Sequence, residues 1–582
     1  MHQPHAEPRR SIYYDYRVHD AAPCPATGVD ATPVVVVGAG PIGLVAALGL
    51  GLQGVRCVLL ESERQVSEGS RAIVFTRRSM EILQQVGVSD AVLQRGLPWR
   101  FGNSHYRGQR VFRMEAPHDD DQRFFPMTNL QQQYLEEYLL DAVARQPLID
   151  LRWGHKVTQL LRNEAGGAHP DAKHPETERP GAELEVDTAE GPYRLRADWV
   201  VACDGPRSAL RQLCDLRMDG AAYEGKFVIA DIRIDLPLPT ERLAFFDPDW
   251  NPGNTVLMHR EPEGIWRVDY QLPVGETPEQ ALAPESMKAR IDAQLAAIGH
   301  AGKPWEMDWC SVYSARAMTL PDYVHRRVVF AGDAAHLLPI FGVRGANTGF
   351  QDAQNLAWKL AMVIRGTAGP GLLASYSAER VKAAREIIDE AGKSTRFMTP
   401  PTPGFRLLRD AVLSLSLTQE FVRPLYHWRT SRPHEHRDST LNAAGDDNAL
   451  FAGGPGHGAA LPNLRLDDGS FLLDLLCGEA AAGFSLLVFG PELSAALVEA
   501  VQAWRARGVQ LRIVFVSRGD APPAQGAERT LTDPTGRLHR HLAVAGESAA
   551  YLLRPDQHVC ARWLAPSASR LDAALRSALA LA

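Results

Sequence analysis

The feature that most constrains this chain is Val34-Val-Val-Val37 running directly into Gly38-Ala-Gly40-Pro41-Ile42-Gly43. A continuous β-branched run predicts a strand buried on both faces of a parallel sheet. Gly38 allows a tight turn, Gly40 removes the side chain that would block a pyrophosphate, and Gly43 lets the following helix pack against the strand. Leu44 to Leu52 continues that helix and Gly54 supplies its C-terminal cap. Val55 to Leu60 is a second strand ending at Glu61, where a carboxylate can accept ribose hydroxyls. Strand, glycines, helix, strand and acid together predict a dinucleotide site with the phosphates over the positive helix end. This unit alone does not separate FAD from a nicotinamide cofactor.

Two distant segments bear on that choice. Arg327-Val-Val-Phe330 reads as another strand, and Gly332-Asp333 places a carboxylate at its end, where ligands of open α/β sheets bind. His336-Leu-Leu-Pro339 and the glycine-rich Gly342-Val-Arg-Gly-Ala-Asn-Thr-Gly349 follow, ahead of a helical run from Asp352 to Arg365. Trp199-Val-Val-Ala-Cys-Asp204-Gly-Pro-Arg-Ser208 reads as a third strand delivering an acid and a glycine. A cofactor touched by three separated strand ends is long.

These residues resemble the single-component FAD-dependent aromatic hydroxylases, and the likeness covers most of the chain. The resemblance implies that the first glycine segment binds ADP, that the segment around Asp204 serves both FAD and NAD(P)H, and that Gly332 and Asp333 hold the ribityl chain. Ser70-Arg71-Ala72 is similar to the family's flavin-contacting loop and Gln132-Gln-Tyr-Leu-Glu136 to its flavin-contacting helix start. Leu373-Ala-Ser-Tyr-Ser-Ala-Glu-Arg380 is similar to the helix after the Gly-Asp motif. Pro339 would shape the loop beside the ring, and the helix start at Gly345, Ala346 and Asn347 would face the reduced flavin. The branch most resembled hydroxylates simple phenols, phenylpropionates and polyketide phenols. Where many relatives carry a glutamine, this chain has Arg344. It either stabilises anionic flavin or an acidic substrate, or faces solvent or pairs with a carboxylate.

The implied reaction takes electrons from NADPH or NADH, adds O₂ to reduced FAD as a C4a-hydroperoxide, and transfers one oxygen atom to a phenol. A phenol's unperturbed pKa is about 10, so a pocket group must share its proton. The candidate substrate residues are Tyr223, His259, Trp266 and Tyr270, with His259 or Tyr270 orienting or deprotonating the phenol and Arg344 completing the catalytic set. Each of the four substrate candidates is also an ordinary packed side chain by type. Another FAD-dependent reaction (dehydrogenase, reductase or halogenase) and a non-catalytic flavin-binding module are the alternative readings.

The expected fold class is α/β, a Rossmann-like FAD-binding domain with an inserted, mainly antiparallel substrate sheet and a thioredoxin-like C-terminal domain. The expected boundaries are an N-terminal extension at 1–32, FAD-binding segments at 33–97, 127–216 and 321–398, and substrate-domain segments at 98–126 and 217–320. A helical linker at 399–452 and the C-terminal domain at 453–582 complete the chain. Residues 162–181, rich in Pro, Gly, His and charge, read as a long hairpin loop. With 582 residues and 45% apolar content the chain can bury two or three cores. Its net charge of -7 argues against a nucleic-acid surface. The seven cysteines form no close pair or metal-ligand cluster and read as reduced cytosolic thiols. No membrane-spanning run or secretory leader is legible, so a cytoplasmic protein with no membrane partner and no metal is expected. The C-terminal domain lacks Cys-x-x-Cys, which leaves it a structural or homodimer-forming role.

Overall fold

The computed structural model describes residues 1–25, 29–164, 180–339, 341–369, 371–426, 433–519, 523–546 and 548–581, with side chains at 29, 222–224, 315 and 479 left aside. The β-branched run lies inside a strand, Val29–Val37, at the centre of a parallel array. Gly191–Ala202 and then Val328–Phe330 lie on one side of it, Cys57–Glu61 and then Ile149–Trp153 on the other. Val34, Val35 and Val36 are fully buried, as a strand covered on both faces requires. The helix Pro41–Leu52 packs against the longer helix Gly345–Arg365 on one side of this sheet. Lys156–Asn163 and Ala182–Thr188 form an antiparallel pair at its flank. Most of the hairpin loop expected between them, residues 165–179, lies outside the described residues.

A second sheet stands over the C-terminal ends of these strands. Its order is His336–Leu337, Glu306–Thr319, Asp219–Arg233, Ile265–Gln271, Thr255–Arg260, Arg242–Phe246, Phe101–Tyr106 and Gln109–Glu115. All pairings are antiparallel except that of Arg242–Phe246 with Phe101–Tyr106. Alternation along each strand separates two faces. Val228, Ala230, Val256, Met258, Trp266, Val268 and Tyr270 pack on Met287, Ile291 and Leu295 of the helix Pro284–Ala297. The other face carries Phe227, Ala244, Phe246 and Leu257, which pack with Phe341 from the loop after Gly332-Asp333.

The last third of the chain builds a five-stranded sheet ordered Arg529–Thr532, Leu511–Ser517, Phe484–Phe489, Ala549–Leu553 and Val559–Trp563. The turn between its last two strands, Arg554 to His558, reaches into the body of the protein and meets the helix Gly345–Arg365. The Asp556 carboxylate accepts from Trp358 Nε1 at 2.9 Å and Asn355 Nδ2 at 3.2 Å. Arg78 Nη2 donates to the Asp556 carbonyl at 2.9 Å and Arg78 Nη1 to Gln557 Oε1 at 2.9 Å. The N-terminal arm also packs down. Tyr14 and Tyr16 are buried, and Ser11 Oγ and the Ile12 amide donate to Asp308 at 2.6 and 2.7 Å.

Candidate active site

The three motif segments meet at one end of the parallel sheet. Gly38 has φ +101°, and a Cβ there would lie 2.5 Å from the Cys203 carbonyl oxygen, so the turn tolerates only glycine beside the neighbouring strand. A Cβ at Gly43 would overlap the Gly38 carbonyl oxygen. Ile42 sits between Gly332 and Gly349, where added Cβ atoms would lie 3.1 and 2.7 Å from its side chain. Gly40 differs from these, because a Cβ there would meet no atom within 4 Å. Gly40 caps the helix that begins at Pro41, and the helix ladder opens with Leu44 N donating to Gly40 O at 3.0 Å. The amides of Ile42 and Gly43 therefore precede the ladder and suit an anion.

Acids surround this cradle. Glu61 Oε2 accepts from the Ala39 amide at 2.8 Å and Oε1 from the Glu63 amide at 2.9 Å and Ser62 Oγ at 3.2 Å, which fixes its carboxylate while leaving Oε2 a further lone pair. Asp204 Oδ2 accepts from the Leu210 amide at 3.1 Å, while its buried Oδ1 has no partner. Burial pushes the Asp204 carboxyl up. Asp333 opens onto the cleft but is flanked by protein, which raises its carboxyl, with His336 and Arg71 acting in the opposite direction. Asp352 fixes the turn that carries it. Its carboxylate accepts from the Gly332 amide at 3.1 Å, His336 Nε2 at 2.6 Å and Arg380 Nε at 2.7 Å. Burial opposes ionisation of Asp352 most strongly, but His336 and Arg380 hold it below the usual carboxylate range.

Gln132 and Asn347 are engaged by the protein itself. Gln132 Oε1 accepts from the Ala72 amide at 3.0 Å and its own amide donates to Ser70 Oγ at 2.9 Å, so it shapes the loop that carries the exposed Arg71. Asn347 Oδ1 accepts from the Thr76 amide at 2.9 Å and Ser79 Oγ at 2.6 Å. Its Nδ2 donates to Val74 O at 2.8 Å and Val343 O at 3.1 Å. These bonds start the helix at Gly345, ahead of Asp352, and place Gly345 and Ala346 in its first turn. Asn347→Ala leaves buried partners unpaired at about 1–3 kcal/mol each. We expect a lower melting temperature that added FAD does not restore, read by thermal denaturation. Val343 has φ +62°, a strained conformation for a β-branched residue, two residues after the buried Phe341. Arg344 is 5% exposed, and its Nε donates to Phe341 O at 3.3 Å. The solvent-facing reading of Arg344 is therefore corrected.

The wall opposite the cradle differs from the expected residues. Trp266 and Tyr270 lie on the far face of the antiparallel sheet, where Tyr270 Oη donates to Met287 Sδ at 3.0 Å. Strand parity, not residue type, decides the face, and it turns both away from the cleft. The side chain of Tyr223 lies outside the described residues. His259 does face the cleft side, 6.5 Å from the Trp99 ring, with Nδ1 unpartnered. Burial, then Arg242 and Arg267, push its imidazole well below the usual range, so it stays neutral and is a poor proton acceptor. His259 can orient a ligand, but its expected role as base is corrected.

The sequence reading missed the charged residues of the same face. Arg267 Nε and Nη2 donate to Asp231 at 2.8 Å each, Glu261 Oε1 stands 3.5 Å from Arg267 Nε, and Arg267 also donates to the Ser70 carbonyl. Arg267 thereby ties the sheet to the Ser70-Arg71-Ala72 loop, and Trp309 covers Gly69 of that loop, whose Cβ would overlap the indole. The available signal was the alternation Trp266-Arg-Val-Asp-Tyr270, which sets two charged residues on the face opposite the aromatic ones.

The family model for the FAD binding domain matches residues 31–391. The chain belongs to the FAD-binding domain family. A 3-(3-hydroxy-phenyl)propionate/3-hydroxycinnamic acid hydroxylase of Mycolicibacterium smegmatis is 29% identical over 562 residues, 94% of this chain and 93% of the relative. A solved aklavinone-11 hydroxylase in complex with FAD and aklavinone is 25% identical with a TM-score of 0.74, covering 95% of this chain and all of that one. The flavin-dependent monooxygenase PieE, solved with FAD and substrate, shares the fold at 24% identity and a TM-score of 0.78. The resemblance read from the motifs thus holds. The FAD-binding cradle fits its cofactor on this chain's own features: open space over Gly40, helix amides ahead of the ladder, and the orphaned Asp204 oxygen. Among the described residues no helix is long and apolar enough to cross a membrane, and no three ligating side chains group as a metal site.

Proposed function

We propose that this FAD-binding chain is an aromatic hydroxylase that uses NAD(P)H and O₂ to add one hydroxyl group to a small phenolic substrate. The observation that carries the reading is the juxtaposition of the FAD cradle with a sheet wall on which Phe341, from the cradle's own loop, meets Phe227 edge to face at 5.3 Å. An apolar wall with a few placed polar groups is what an aromatic ligand needs. The named relative acts on hydroxyphenyl acids, and the reading carries that chemistry to this chain. Gly38, Gly40, Pro41, Ile42 and Gly43 would hold the pyrophosphate, Glu61 the ribose, and Gly332 and Asp333 the ribityl chain. Arg71, Gln132, Asp204, Pro339, Gly345, Ala346 and Asn347 would shape the remainder. Bound FAD supplies the redox chemistry that activates O₂ for oxygen-atom transfer to carbon. The protein's share is to orient the phenol, take its proton and keep water from the cleft.

The partition into the expected segments, with 453–582 thioredoxin-like, belongs to the same reading. A structural or dimer-forming role for that unit agrees with its two thiols, Cys477 and Cys560, which burial pushes to about 12. Such thiols are poor nucleophiles. The proposal is tested by following flavin bleaching by NADH or NADPH without oxygen, with and without hydroxyphenylpropionates, hydroxybenzoates and unsubstituted phenol. One phenol should accelerate reduction by an order of magnitude or more, and with air it should leave as a dihydroxy product. Rapid reduction that no phenol affects would instead assign a reductase or oxidase.

A further inference from the structure

The cleft face of the antiparallel sheet holds an acid that the reading above does not use. Asp269 lies mid-strand with Leu257 opposite it on one neighbouring strand and Ile229 on the other. Its immediate chain neighbours Val268 and Tyr270 point to the other face and are 1% and 0% exposed. Asp269, Ile229, Gln271, Ser311 and Tyr313 are only half-buried although they sit at the centre of the sheet, so the cleft opens at this patch. The apolar floor is local too, since Phe227 pairs with Gln271, one pleat from Asp269, and Phe227 is the residue that meets Phe341.

The polar atoms of the patch lack protein partners. Asp269 Oδ1, Gln271 Oε1 and His259 Nδ1 are all buried without a hydrogen bond, and Ser104 Oγ is a fourth such atom three strands along the same face. Native proteins leave few such atoms, and a group of them on one face calls for a ligand with its own polar edge. Two of the four are carboxylate or amide oxygens that only accept, so the ligand group meeting them is a donor. An aromatic ring with a hydroxyl group meets both demands, with the ring on Phe227 and Leu257 and the O–H toward Asp269.

We propose that Asp269 is the residue that takes the hydroxyl proton of the aromatic substrate, with His259 as a neutral orienting neighbour. This rests on the hydroxylase reading. In the step the phenolic O–H bond breaks and a carboxyl O–H bond forms. The freed electron pair moves into the ring and makes an adjacent carbon nucleophilic toward the oxygen atom supplied from O₂. The hydrogen displaced from that carbon leaves as a proton when the ring regains aromaticity. Overall, phenol, O₂, NAD(P)H and a proton give dihydroxybenzene, water and NAD(P)⁺.

The surroundings suit a base working near neutrality. Burial raises the Asp269 carboxyl to about 7, with Asp231 acting in the same direction and Arg267 and Arg242 against it. Glu261, Tyr313 and His259 stand near Asp269 on this face, with Tyr106 farther along. Glu261 is pushed well above the usual range by burial and by its acidic neighbours, and Tyr313 well above its own by burial. Tyr313 is therefore neutral when Asp269 titrates. A carboxylate of this pKa takes a proton far better than the depressed His259 does, and it is present above about pH 7 and lost below it.

The test compares wild type with Asp269→Asn, an isosteric change, and Asp269→Glu, after FAD content and thermal stability are shown to match. Product formation from an un-ionised phenol should fall by about 10²–10⁴-fold in the asparagine protein, the usual range for a lost general base. A nitrophenol already ionised at the assay pH should lose less than about tenfold by the same comparison, because no proton has to be taken. Wild-type hydroxylation should decline as pH drops below about 7, and this limb should vanish in Asp269→Asn. Equal losses for ionised and un-ionised phenols, or an unchanged pH limb, would overturn the base assignment. An Asp269→Asn protein that cannot bind FAD would do so as well, by making the role structural. If wild type hydroxylates no phenol but still binds FAD, the hydroxylase reading itself fails, and that outcome is distinct from the others.

Discussion

Asp556→Ala is expected to lower the stability of the folded protein by about 3–5 kcal/mol, the usual result of removing one partner from a buried ion pair. The Asp556 carboxylate accepts from Arg554 Nε at 2.9 Å, stands 3.3 Å from His558 Nδ1, and takes the Trp358 and Asn355 bonds already described. Arg554 Nη1 in turn donates to Glu379 Oε1 at 2.7 Å, and Lys359 Nζ to Glu379 Oε2 at 2.8 Å. All of these side chains are buried, so the loss leaves a guanidinium and an indole N–H facing protein instead of water. Urea denaturation read by tryptophan fluorescence measures the change, and a difference below about 1 kcal/mol would deny the network its role. The pH dependence has a definite sign. Burial weighs most on Glu379 and Asp556, yet Arg554 with Lys359 or His558 holds both well below their usual range. Their contribution is full above the unfolded carboxyl values of about 4 and is lost as pH falls toward the depressed ones. His436 is pushed well below its usual range by burial, so the unfolded chain binds more protons below about 6.5 and stability falls with pH there too. Both effects predict release of the C-terminal unit in acid.

Gly40→Ala and Gly43→Ala should fail differently. A Cβ at Gly43 overlaps the Gly38 carbonyl oxygen, so the turn or the helix must move and the protein itself should lose about 1–3 kcal/mol. A Cβ at Gly40 meets no protein atom within 4 Å, so the apoprotein should melt at an unchanged temperature or slightly higher. FAD affinity, however, should drop by about 100-fold or more, equivalent to about 2.7 kcal/mol, because the proposed site gives that space to the pyrophosphate. Flavin-to-protein absorbance after gel filtration, together with thermal melts of stripped protein, separates the two. Full flavin retention in Gly40→Ala would place the phosphates elsewhere.

Much of this architecture was legible because the signals are local. The Val34–Val37 run, the glycine turn and the strand ending at Glu61 each obey one steric rule, and the strands of residues 217–320 show their alternation directly. The cleft wall was less legible. Tyr270 and Trp266 were favoured by side-chain type, whereas the face each residue takes depends on a parity that Asp269 and Arg267 share and they do not. Arg344 reads as a loop arginine, but its burial depends on the Phe341 turn folding back over it. The contacts of Arg554 and Asp556 leave no local pattern at all, since their partners at Arg78, Trp358 and Glu379 come from elements dispersed along the chain.

The inward turn at Arg554 to His558 also sets a schedule for synthesis. Trp358 and Glu379 leave the ribosome long before Asp556 and Arg554, which bond them, and Arg78 long before the Asp556 carbonyl, so the nascent chain carries unfilled polar contacts along the helix Gly345–Arg365. The helix Gly345–Arg365 acquires its final neighbours only when nearly the whole chain has emerged. A product that stops short of Arg554 would thus leave Glu379 without its guanidinium partner and the Trp358 indole without its acceptor.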